Sequence, residues 1–512
     1  MRRPRVSVVI PNFNNGRTSS RDGVRDALGA LLASLERTLC DDDALLEIVV
    51  ADDGSTDDSL ATARAWASKR RPDGSPFLRL IELPHTGVLS RVLNRLLAEA
   101  RGDVIARLDG DVVLRTPRWA KILCDMFDAD PALGVVTGVQ LLPDGSVHAF
   151  GDDLWGPRGY RHIARGARLE DLVDDREVDH AMGCFYATRR AVHESVGGYD
   201  EGTLRGQTED YGVRVRLAGW RVVATPRIAF EHWHVERTPR ANAADRPESL
   251  DESLARFEST WGFDRLAPDL AAVRAKFGAT PLWWRDHARR GVAADATEWD
   301  RLGRDAELER RIGEEFDFCM TALRAASAPV PVTHVGSGCG CLGHTIIRAG
   351  GSYEGFEEAG AASSAATKRI TLARAESRLR FAPVEDLAVL PLAAGTRPIV
   401  CLFGALERYW NPVGLVRECH RVLAPSGVLC IRTRLRGQPI DDPEESGHRF
   451  TADEFIGFLR HVALGRIVGF DPRVTDSGWL ECCVAHAAPA PGRGYFATVE
   501  PRHGAVMVRS AR

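Results

Sequence analysis

The sequence lacks long apolar runs: among its 512 residues, no stretch approaches the roughly 18 consecutive apolar residues of a membrane-spanning helix. It also lacks an excess of either charge, since 67 basic residues face 71 acidic ones and the formal net charge is −4. This balance gives no support to nucleic-acid or anionic-membrane binding. Eleven cysteines at irregular positions suggest no disulfide framework, so we expect most of them to be buried as small apolar residues. We therefore expect a cytoplasmic protein without a transmembrane segment.

Short apolar runs separated by helix-length segments recur in two blocks of the chain. The runs are Val6–Ile10, Leu46–Ala51, Leu78–Leu83 and Val104–Leu108, then Val332–Val335, Ser352–Phe356, Pro398–Phe403 and Val428–Thr433. This pattern predicts two α/β domains, each with a parallel sheet covered on both faces. We expect the first domain at 1–284 and the second at 330–512, joined by a helical linker at 285–329 whose apolar residues recur at helical spacing.

Acidic residues follow two of the predicted strands in the first block. Asp52-Asp53-Gly54-Ser55 follows one run and Asp109-Gly110-Asp111 follows another. Ligands of open parallel sheets lie beyond the carboxyl ends of the strands, so these carboxylates should converge on one crevice. Such hard oxygen ligands favour Mg²⁺ or Mn²⁺ carrying a diphosphate. Alone, the first motif could be a helix cap and turn and the second a solvated turn. Their order after apolar strands favours a nucleotide site.

Further motifs accompany these acids in order, from residue 4 to about 280. They are Val8-Val9-Ile10-Pro11-Asn12-Phe13-Asn14, Gly197-Gly198-Tyr199-Asp200-Glu201, Glu209-Asp210, Arg216-Leu217-Ala218-Gly219-Trp220-Arg221 and Ile228-Ala229-Phe230-Glu231-His232. Together with the two acidic motifs, they resemble glycosyltransferase family 2, whose members have a GT-A type nucleotide-sugar-binding fold.

The resemblance implies a role for each matching residue. The implied donor-binding residues are Pro11, Asn12, Asp52, Asp53 and Asp109, with Asp53 reaching the base. Asp109, Asp111 and His232 would hold Mn²⁺ or Mg²⁺, although His234 is a rival to His232. Asp210 would be the general base of an inverting transfer, whereas Glu209 would support the acceptor site or cap the following helix.

A glycine-rich turn follows the first strand of the second block. Gly336, Gly338 and Gly340 would permit a tight strand-to-helix turn and close approach of the backbone to a ligand. An acid about 20 residues later, Glu357, suits a ribose diol. A dinucleotide-binding domain would share both features, so they do not decide the ligand.

A later stretch separates these alternatives. It runs Leu402-Phe403-Gly404-Ala405-Leu406-Glu407-Arg408-Tyr409-Trp410-Asn411-Pro412 and continues through Glu418-Cys419-His420-Arg421-Val422-Leu423-Ala424-Pro425-Ser426-Gly427. Residues 330–485 thereby resemble class I methyltransferases, which use S-adenosylmethionine. The resemblance implies that the three glycines border the methionine part of the cofactor and that Glu357 binds its ribose. Pro383 stands where relatives carry an adenine-contacting acid, so Glu385 or Asp386 would substitute.

The sequence thus predicts a bifunctional enzyme. One half would transfer a sugar from a nucleoside-diphosphate sugar to a glycan, peptide or small-molecule acceptor. The other half would methylate the same sugar or the product. In one alternative, the second half is a non-catalytic binding or assembly module. In another, the whole chain is a scaffold without activity.

Overall fold

The computed structural model describes residues 5–20, 23–38, 46–156, 159–233, 243–278, 294–325, 331–373, 378–435, 450–462, 466–467 and 473–485. They divide into two compact units: the described residues up to Arg265 form the first, and those from Leu266 onward form the second. Residues 266–278 therefore pack with the second unit, where the N–H of Leu270 donates to Oδ1 of Asn411 at 3.1 Å. The domain boundary at 284 stays a prediction, because residues 279–293 lie outside the described residues.

A ten-stranded sheet, counted within the described residues, forms the centre of the first unit. Its strands are β1 (Val6–Asn12), β4 (Leu46–Asp52), β5 (Arg79–Glu82), β6 (Val104–Leu108), β7 (Val112–Leu114), β8 (Leu133–Leu141), β9 (Val147–Ala149), β12 (Arg176–Glu177), β13 (Phe185–Arg189) and β14 (Arg221–His232). The hairpins β2 (Arg17–Ser20) with β3 (Gly23–Asp26), and β10 (Asp152–Gly156) with β11 (Gly159–His162), lie apart from it. The order is β12-β14-β8-β13-β6-β1-β4-β5, with β7 paired to β14 and β9 to β8.

The centre of this sheet is parallel, as predicted, but the sheet as a whole is mixed. Strand β1 lies between β4 and β6 and is parallel to both. Strand β13 instead runs antiparallel between β6 and β8, which corrects the expectation of an all-parallel sheet. The reason is the connection from β8 to β13: its described residues include no α-helix that crosses over the sheet, so the chain re-enters the sheet at the same end of the strands from which it left.

The first unit contains seven α-helices within the described residues. They are α1 (Ala27–Thr38), α2 (Ser59–Ser68), α3 (Leu89–Glu99), α4 (Trp119–Ala129), α5 (Arg190–Val196), α6 (Gln207–Leu217) and α7 (Ser249–Trp261). In α1, Leu28, Leu31, Leu32 and Leu35 are buried, at the spacing that puts side chains on one helical face. They pack in the same core as Val6, Val8 and Ile10 of β1.

The second unit contains an eight-stranded sheet, counted within the described residues. Its strands are β15 (Val332–Val335), β16 (Tyr353–Glu358), β17 (Leu379–Val384), β18 (Arg397–Phe403), β19 (Leu423–Arg434), β20 (Arg466–Ile467), β21 (Arg473–Val474) and β22 (Trp479–Ala485). The order is β17-β16-β15-β18-β19-β22-β20, with β21 paired to β22. The first five strands are parallel and β22 is antiparallel to β19. The chain order reverses on either side of β15, and such a switch point opens a crevice for a ligand.

Helices of the second unit include the predicted charged one. They are α8 (Leu270–Phe277), α9 (Glu298–Arg301), α10 (Ala306–Ala325), α11 (Cys341–Arg348), α12 (Ala361–Ala373), α13 (Pro412–Val422) and α14 (Ala452–Val462). Leu308 and Ile312 of α10 are buried one turn apart. None of the helices in the described part of the chain has the length and hydropathy needed to cross a membrane.

Candidate functional site

A cavity of about 300 Å³ opens at the carboxyl ends of β1, β4 and β6 in the first unit. Its lining includes Pro11 and Asn12 at the end of β1 with Phe13 just after it, Asp53 after β4, Asp109 and Gly110 after β6, and residues 204–207 at the start of α6. The structure thus brings together four of the five residues expected to bind the donor, at the switch point beside β1.

Asp53 is held in a fixed orientation by the turn at residues 85–87. Its Oδ1 accepts the N–H of Thr86 at 2.8 Å, and its Oδ2 accepts the N–H of Gly87 at 3.2 Å. Nδ1 of His85 lies 2.8 Å from the main-chain oxygen of Asp53, and the His85 ring stacks on Phe13 with 4.4 Å between ring centroids. Because a carboxylate has about four lone-pair sites, Asp53 can still accept a hydrogen bond from a nucleobase. Sequence reasoning missed His85.

Asp52, the fifth expected donor-binding residue, stabilises the turn after β4. Its Oδ1 accepts Nδ2 of Asn12 at 2.6 Å and Oγ of Ser55 at 2.6 Å, and its Oδ2 accepts the N–H of Ser55 at 3.0 Å. The carboxylate is buried and does not line the cavity. Asp52 therefore fixes the shape of the loop that carries Asp53.

A buried arginine accompanies Asp109. Nη2 of Arg107, from within β6, donates to Oδ1 of Asp109 at 2.9 Å. Burial by itself lowers the pKa of Arg107, but Asp109 and Tyr199 outweigh this effect and raise it. The pair leaves Asp109 at the cavity with part of its charge compensated. The sequence signal was a lone charged residue in an apolar strand.

Asp111 and His232 form a buried pair beside this cavity. Oδ1 of Asp111 lies 3.0 Å from Nε2 of His232, and the main-chain oxygen of Asp111 accepts the N–H of Trp233 at 3.0 Å. Burial lowers the pKa of His232, but Asp111 and Cys184 raise it well above its ordinary value. His234, the rival ligand, lies outside the described residues.

The Asp111–His232 spacing fits a shared divalent ion. Two ligand atoms about 2.1 Å from one ion, at a right angle to each other, lie about 3 Å apart. Asp109 does not complete a three-ligand cluster with this pair. Within the described residues, three ligand atoms from His, Cys, Asp or Glu side chains lie within 4.8 Å of one another only at Glu298, Cys339 and Cys341, in the second unit. A metal on Asp111 and His232 therefore requires further ligands from the donor or from a movement of Asp109.

Asp210 lies in the first turn of α6, three residues beyond Gln207 of the cavity wall. Its Oδ1 accepts Nε1 of Trp261 at 3.1 Å, and its Oδ2 accepts Nε of Arg214 at 3.1 Å. Glu209 points to a different partner, since its Oε1 accepts Nη1 of Arg265 at 2.8 Å. The two neighbouring acids thus have separate environments.

The glycine-rich turn of the second unit has the backbone that the sequence predicted. Gly336, Gly338 and Gly340 have φ angles of 71°, 57° and 83°, in the left-handed region that favours glycine. A Cβ on Gly340 would lie 2.1 Å from Cζ of Phe381. Gly336 and Gly338 line a cavity of about 490 Å³, and the N–H of Gly338 donates to Oε2 of Glu357 at 2.6 Å. The loop and its acid therefore meet at the switch point beside β15.

An arginine that the sequence reasoning gave no role contacts both the loop and the acid. Nη2 of Arg408 lies 2.7 Å from Oε2 of Glu357 and 2.9 Å from the main-chain oxygen of Gly336. Neither Glu385 nor Asp386 is among the residues that line the cavity; Glu385 is exposed, whereas Asp386 accepts the N–H of Ala388 at 2.7 Å and the hydroxyl of Tyr409. Between the two candidates for the adenine-side acid, Asp386 is the one held in place.

Family comparisons match both units. Residues 7–197 match the model for "Glycosyl transferase family 2", and residues 334–431 match the model "Methyltransferase domain". "Putative glycosyltransferase EpsE" of Bacillus subtilis is 33% identical over 196 residues, which cover 33% of this chain and 64% of EpsE. "Uncharacterized protein MT1568" of Mycobacterium tuberculosis is 36% identical over 303 residues, covering 55% of this chain and 82% of MT1568.

Two further matches extend the comparison. "Uncharacterized protein y4gI" of Sinorhizobium fredii is 26% identical over 304 residues, covering 55% of this chain and 31% of y4gI. This chain thus spans less than two thirds of y4gI and of EpsE. A solved structure, "Mannosyltransferase PcManGT from Pyrobaculum calidifontis in complex with GDP-Man and Mn2+", is 19% identical, with 62% of this chain and 81% of that chain covered and a TM-score of 0.36.

The strand-end acids and the glycine-rich turn lie at the positions where α/β domains bind nucleotides and related ligands. The family matches name the class of each domain. The chain is a fusion that belongs to glycosyl transferase family 2 in its first unit and carries a methyltransferase domain in its second. Both resemblances drawn from the sequence are confirmed.

Proposed function

We propose that the first unit transfers a sugar from a nucleoside-diphosphate sugar to an acceptor, with inversion and with a divalent ion. The observation that carries this proposal is the convergence of Asp53 and Asp109 on one cavity, at the switch point of a family 2 domain. Asp53 would accept a hydrogen bond from the base of the donor. Asn12 would border the nucleoside, and Asp52 would act indirectly by holding the turn.

Asp111 and His232 would hold the ion, which is Mn²⁺ or Mg²⁺, with Asp109 close to the diphosphate. When bound, such an ion supplies positive charge opposite the charge that grows on the leaving nucleoside diphosphate. Arg107 keeps Asp109 oriented without removing it from the cavity.

Asp210 would act as the general base. Arg214 occupies its Oδ2 and Trp261 occupies one lone pair of its Oδ1, so Oδ1 retains a site for an acceptor proton. The acceptor hydroxyl oxygen forms a bond to the anomeric carbon while the bond from that carbon to the diphosphate breaks, and the hydroxyl proton moves to Asp210. A single displacement of this kind inverts the anomeric centre.

For the second unit, the proposal is methylation of the same sugar or of the product, with S-adenosylmethionine as the methyl source. Two features support an adenosyl ligand: a glycine loop that permits close approach of the backbone, at Gly336, Gly338 and Gly340, and a buried acid beside it, Glu357. The covalent link would raise the concentration of one unit's product at the other. The alternative is a non-catalytic binding or assembly module. The observation that favours it is the contact of Arg408 with Glu357, because it occupies the carboxylate that would bind the ribose.

A thermal-shift panel tests both halves. It contains UDP-, GDP- and dTDP-sugars with Mn²⁺ or Mg²⁺, and S-adenosylmethionine with its demethylated product, S-adenosylhomocysteine. A ligand that binds the native state raises the melting temperature by mass action. We expect Asp111→Asn to reduce the metal-dependent sugar-nucleotide shift and Glu357→Gln to reduce only the S-adenosylmethionine shift. Absence of any sugar-nucleotide shift in the wild type would contradict the transferase proposal.

A further inference from the structure

Arg408 spans the two parts of the candidate cofactor site in the second unit. Its guanidinium donates twice to Glu357, from Nη1 to Oε1 at 3.1 Å and from Nη2 to Oε2 at 2.7 Å. The same Nη2 lies 2.9 Å from the main-chain oxygen of Gly336. The arginine therefore connects the first glycine of the turn to the acid expected to bind ribose.

The surroundings make this a strong contact. The side chains of Arg408 and Glu357 are 15% and 3% exposed, so salt and water screen their attraction little. A bidentate arginine–carboxylate pair is among the strongest hydrogen-bonded arrangements in proteins. Glu357 also accepts the N–H of Gly338 at Oε2 and the N–H of Glu358 at Oε1, so its roughly four lone-pair sites are all engaged. A ribose diol can reach these oxygens only by displacing a donor.

The backbone at Gly336 lies close to the Arg408 guanidinium. A Cβ on Gly336 would lie 3.1 Å from Nη2 of Arg408 and 2.4 Å from Cβ of Ala405. The absence of a side chain at residue 336 thus lets the loop lie against both Ala405 and Arg408.

We propose that Arg408 is an internal ligand of this cofactor site, which competes with the ribose of S-adenosylmethionine for Glu357 and must leave before the cofactor binds. The proposal rests on the cofactor assigned to the second unit under the proposed function. It makes the apparent affinity equal to the intrinsic affinity multiplied by the fraction of molecules in which Arg408 is displaced. Arg408 thereby becomes the residue that sets how much cofactor the second unit requires.

Calorimetric titration of the full chain with S-adenosylhomocysteine tests the proposal. The variants are Arg408→Gln, Glu357→Gln and the double variant. Arg380→Gln is the matched control, because Arg380 is exposed and its removal changes the net charge equally. We expect Arg408→Gln to tighten binding about ten- to hundredfold, the range for a hydrogen bond to a charged group. In the Glu357→Gln background, the same substitution should give no gain, since the competition needs the carboxylate.

Two further measurements identify the part of the ligand that competes with Arg408 and provide a conservative variant in case Arg408→Gln does not fold. Adenosine should bind more tightly to Arg408→Gln than to the wild type, whereas 2′,3′-dideoxyadenosine, which lacks the diol, should show no difference. Arg408→Lys keeps the charge and loses the bidentate geometry, so its affinity should fall between those of the wild type and Arg408→Gln.

The outcomes separate this proposal from the proposed function. Binding to Arg408→Gln that equals or is weaker than binding to Arg380→Gln, with the wild type binding, would overturn the role of Arg408 and leave the cofactor assignment standing. Failure of the wild type and of every Arg408 variant to bind S-adenosylhomocysteine or S-adenosylmethionine would overturn both.

Discussion

Nε2 of His232 lies 3.0 Å from Oδ1 of Asp111, which joins the end of a long strand to the Asp-Gly-Asp turn 121 residues earlier. The pairing of β14 with β7 sets this contact, because it places His232 opposite Val112. Both side chains are largely buried beside the cavity that carries Asp53 and Asp109. The contact brings together, at hydrogen-bond distance, two side chains that the proposed function assigns to the metal.

Replacing either member of this pair should remove metal-dependent donor binding. We expect Asp111→Asn and His232→Gln each to weaken binding of a sugar nucleotide in Mn²⁺ at least about tenfold, as when metal-site residues are lost. Calorimetry with and without the ion measures the effect. Asp128→Asn is the control, since Asp128 is exposed and pairs with Arg5 at 2.5 Å. Equal affinities in Mn²⁺ for Asp111→Asn and Asp128→Asn would refute the metal assignment.

Substitution of Asp210 should reduce the turnover rate much more than substitution of Glu209. Asp210→Asn keeps the shape of the side chain and removes the base, so turnover should fall about 10²- to 10⁴-fold while donor affinity stays within a factor of about two. Glu209→Gln should reduce turnover far less, because Glu209 pairs with Arg265. Steady-state rates together with donor titrations provide the comparison. A larger loss of turnover in Glu209→Gln would assign the base to Glu209.

The glycine-rich turn should tolerate substitution according to the space at each position. Gly340→Ala combines a φ of 83° with a Cβ placed 2.1 Å from the Phe381 ring, so it should lower the free energy of unfolding by about 2–4 kcal/mol. Gly350→Ala is the matched control: its φ is 87°, but a Cβ there meets nothing within 4 Å, so about 1–2 kcal/mol is expected. Urea unfolding of both variants checks this difference. Equal losses would show that Phe381 moves aside freely.

Glu315 should make the stability of the second unit depend on pH. Burial raises its pKa from 4.5 to about 7, although Arg311 and Arg432 lower it in part, and Glu298 and Glu407 raise it further. The folded unit thus keeps a proton that the unfolded chain releases near pH 4.5. This stabilisation is complete at low pH and is lost as the pH rises through about 7.

Between pH 6 and pH 8, the loss for Glu315 amounts to about 1 kcal/mol. Scanning calorimetry of the wild type at both pH values should therefore show a decrease in the melting temperature of the second unit. Glu315→Gln should reduce that decrease, because its side chain does not ionise. An unchanged decrease in the variant would show that other groups cause the pH dependence.

Local patterns were sufficient to predict eight of the strands and the residues at their ends. Apolar runs such as Val6–Ile10 and Val332–Val335 became strands because burial on both faces favours continuous apolar sequence. The reversed direction of β13 was not predictable in this way, since a run such as Phe185–Arg189 looks the same in either direction.

Contacts between residues far apart in the sequence could not be predicted from it. Arg107 carried a local signal, a charge inside an apolar strand, but nothing in its neighbourhood indicated Asp109 as partner rather than solvent. The separation of 51 residues between Arg408 and Glu357 is beyond any local pattern. The division of roles between Asp52 and Asp53 likewise depends on which carboxylate the folded turn buries.

The most direct measurement of the central proposal is the configuration of the sugar released when water replaces the acceptor. The wild type is incubated with Mn²⁺ and the α-linked sugar nucleotide that gives the largest thermal shift, and the anomeric protons are followed by ¹H NMR before mutarotation. We expect the β-sugar to form first and Asp210→Asn to form it at least about a hundredfold more slowly. Initial release of the α-sugar, or an equal rate in Asp210→Asn, would contradict an inverting transfer with Asp210 as the base.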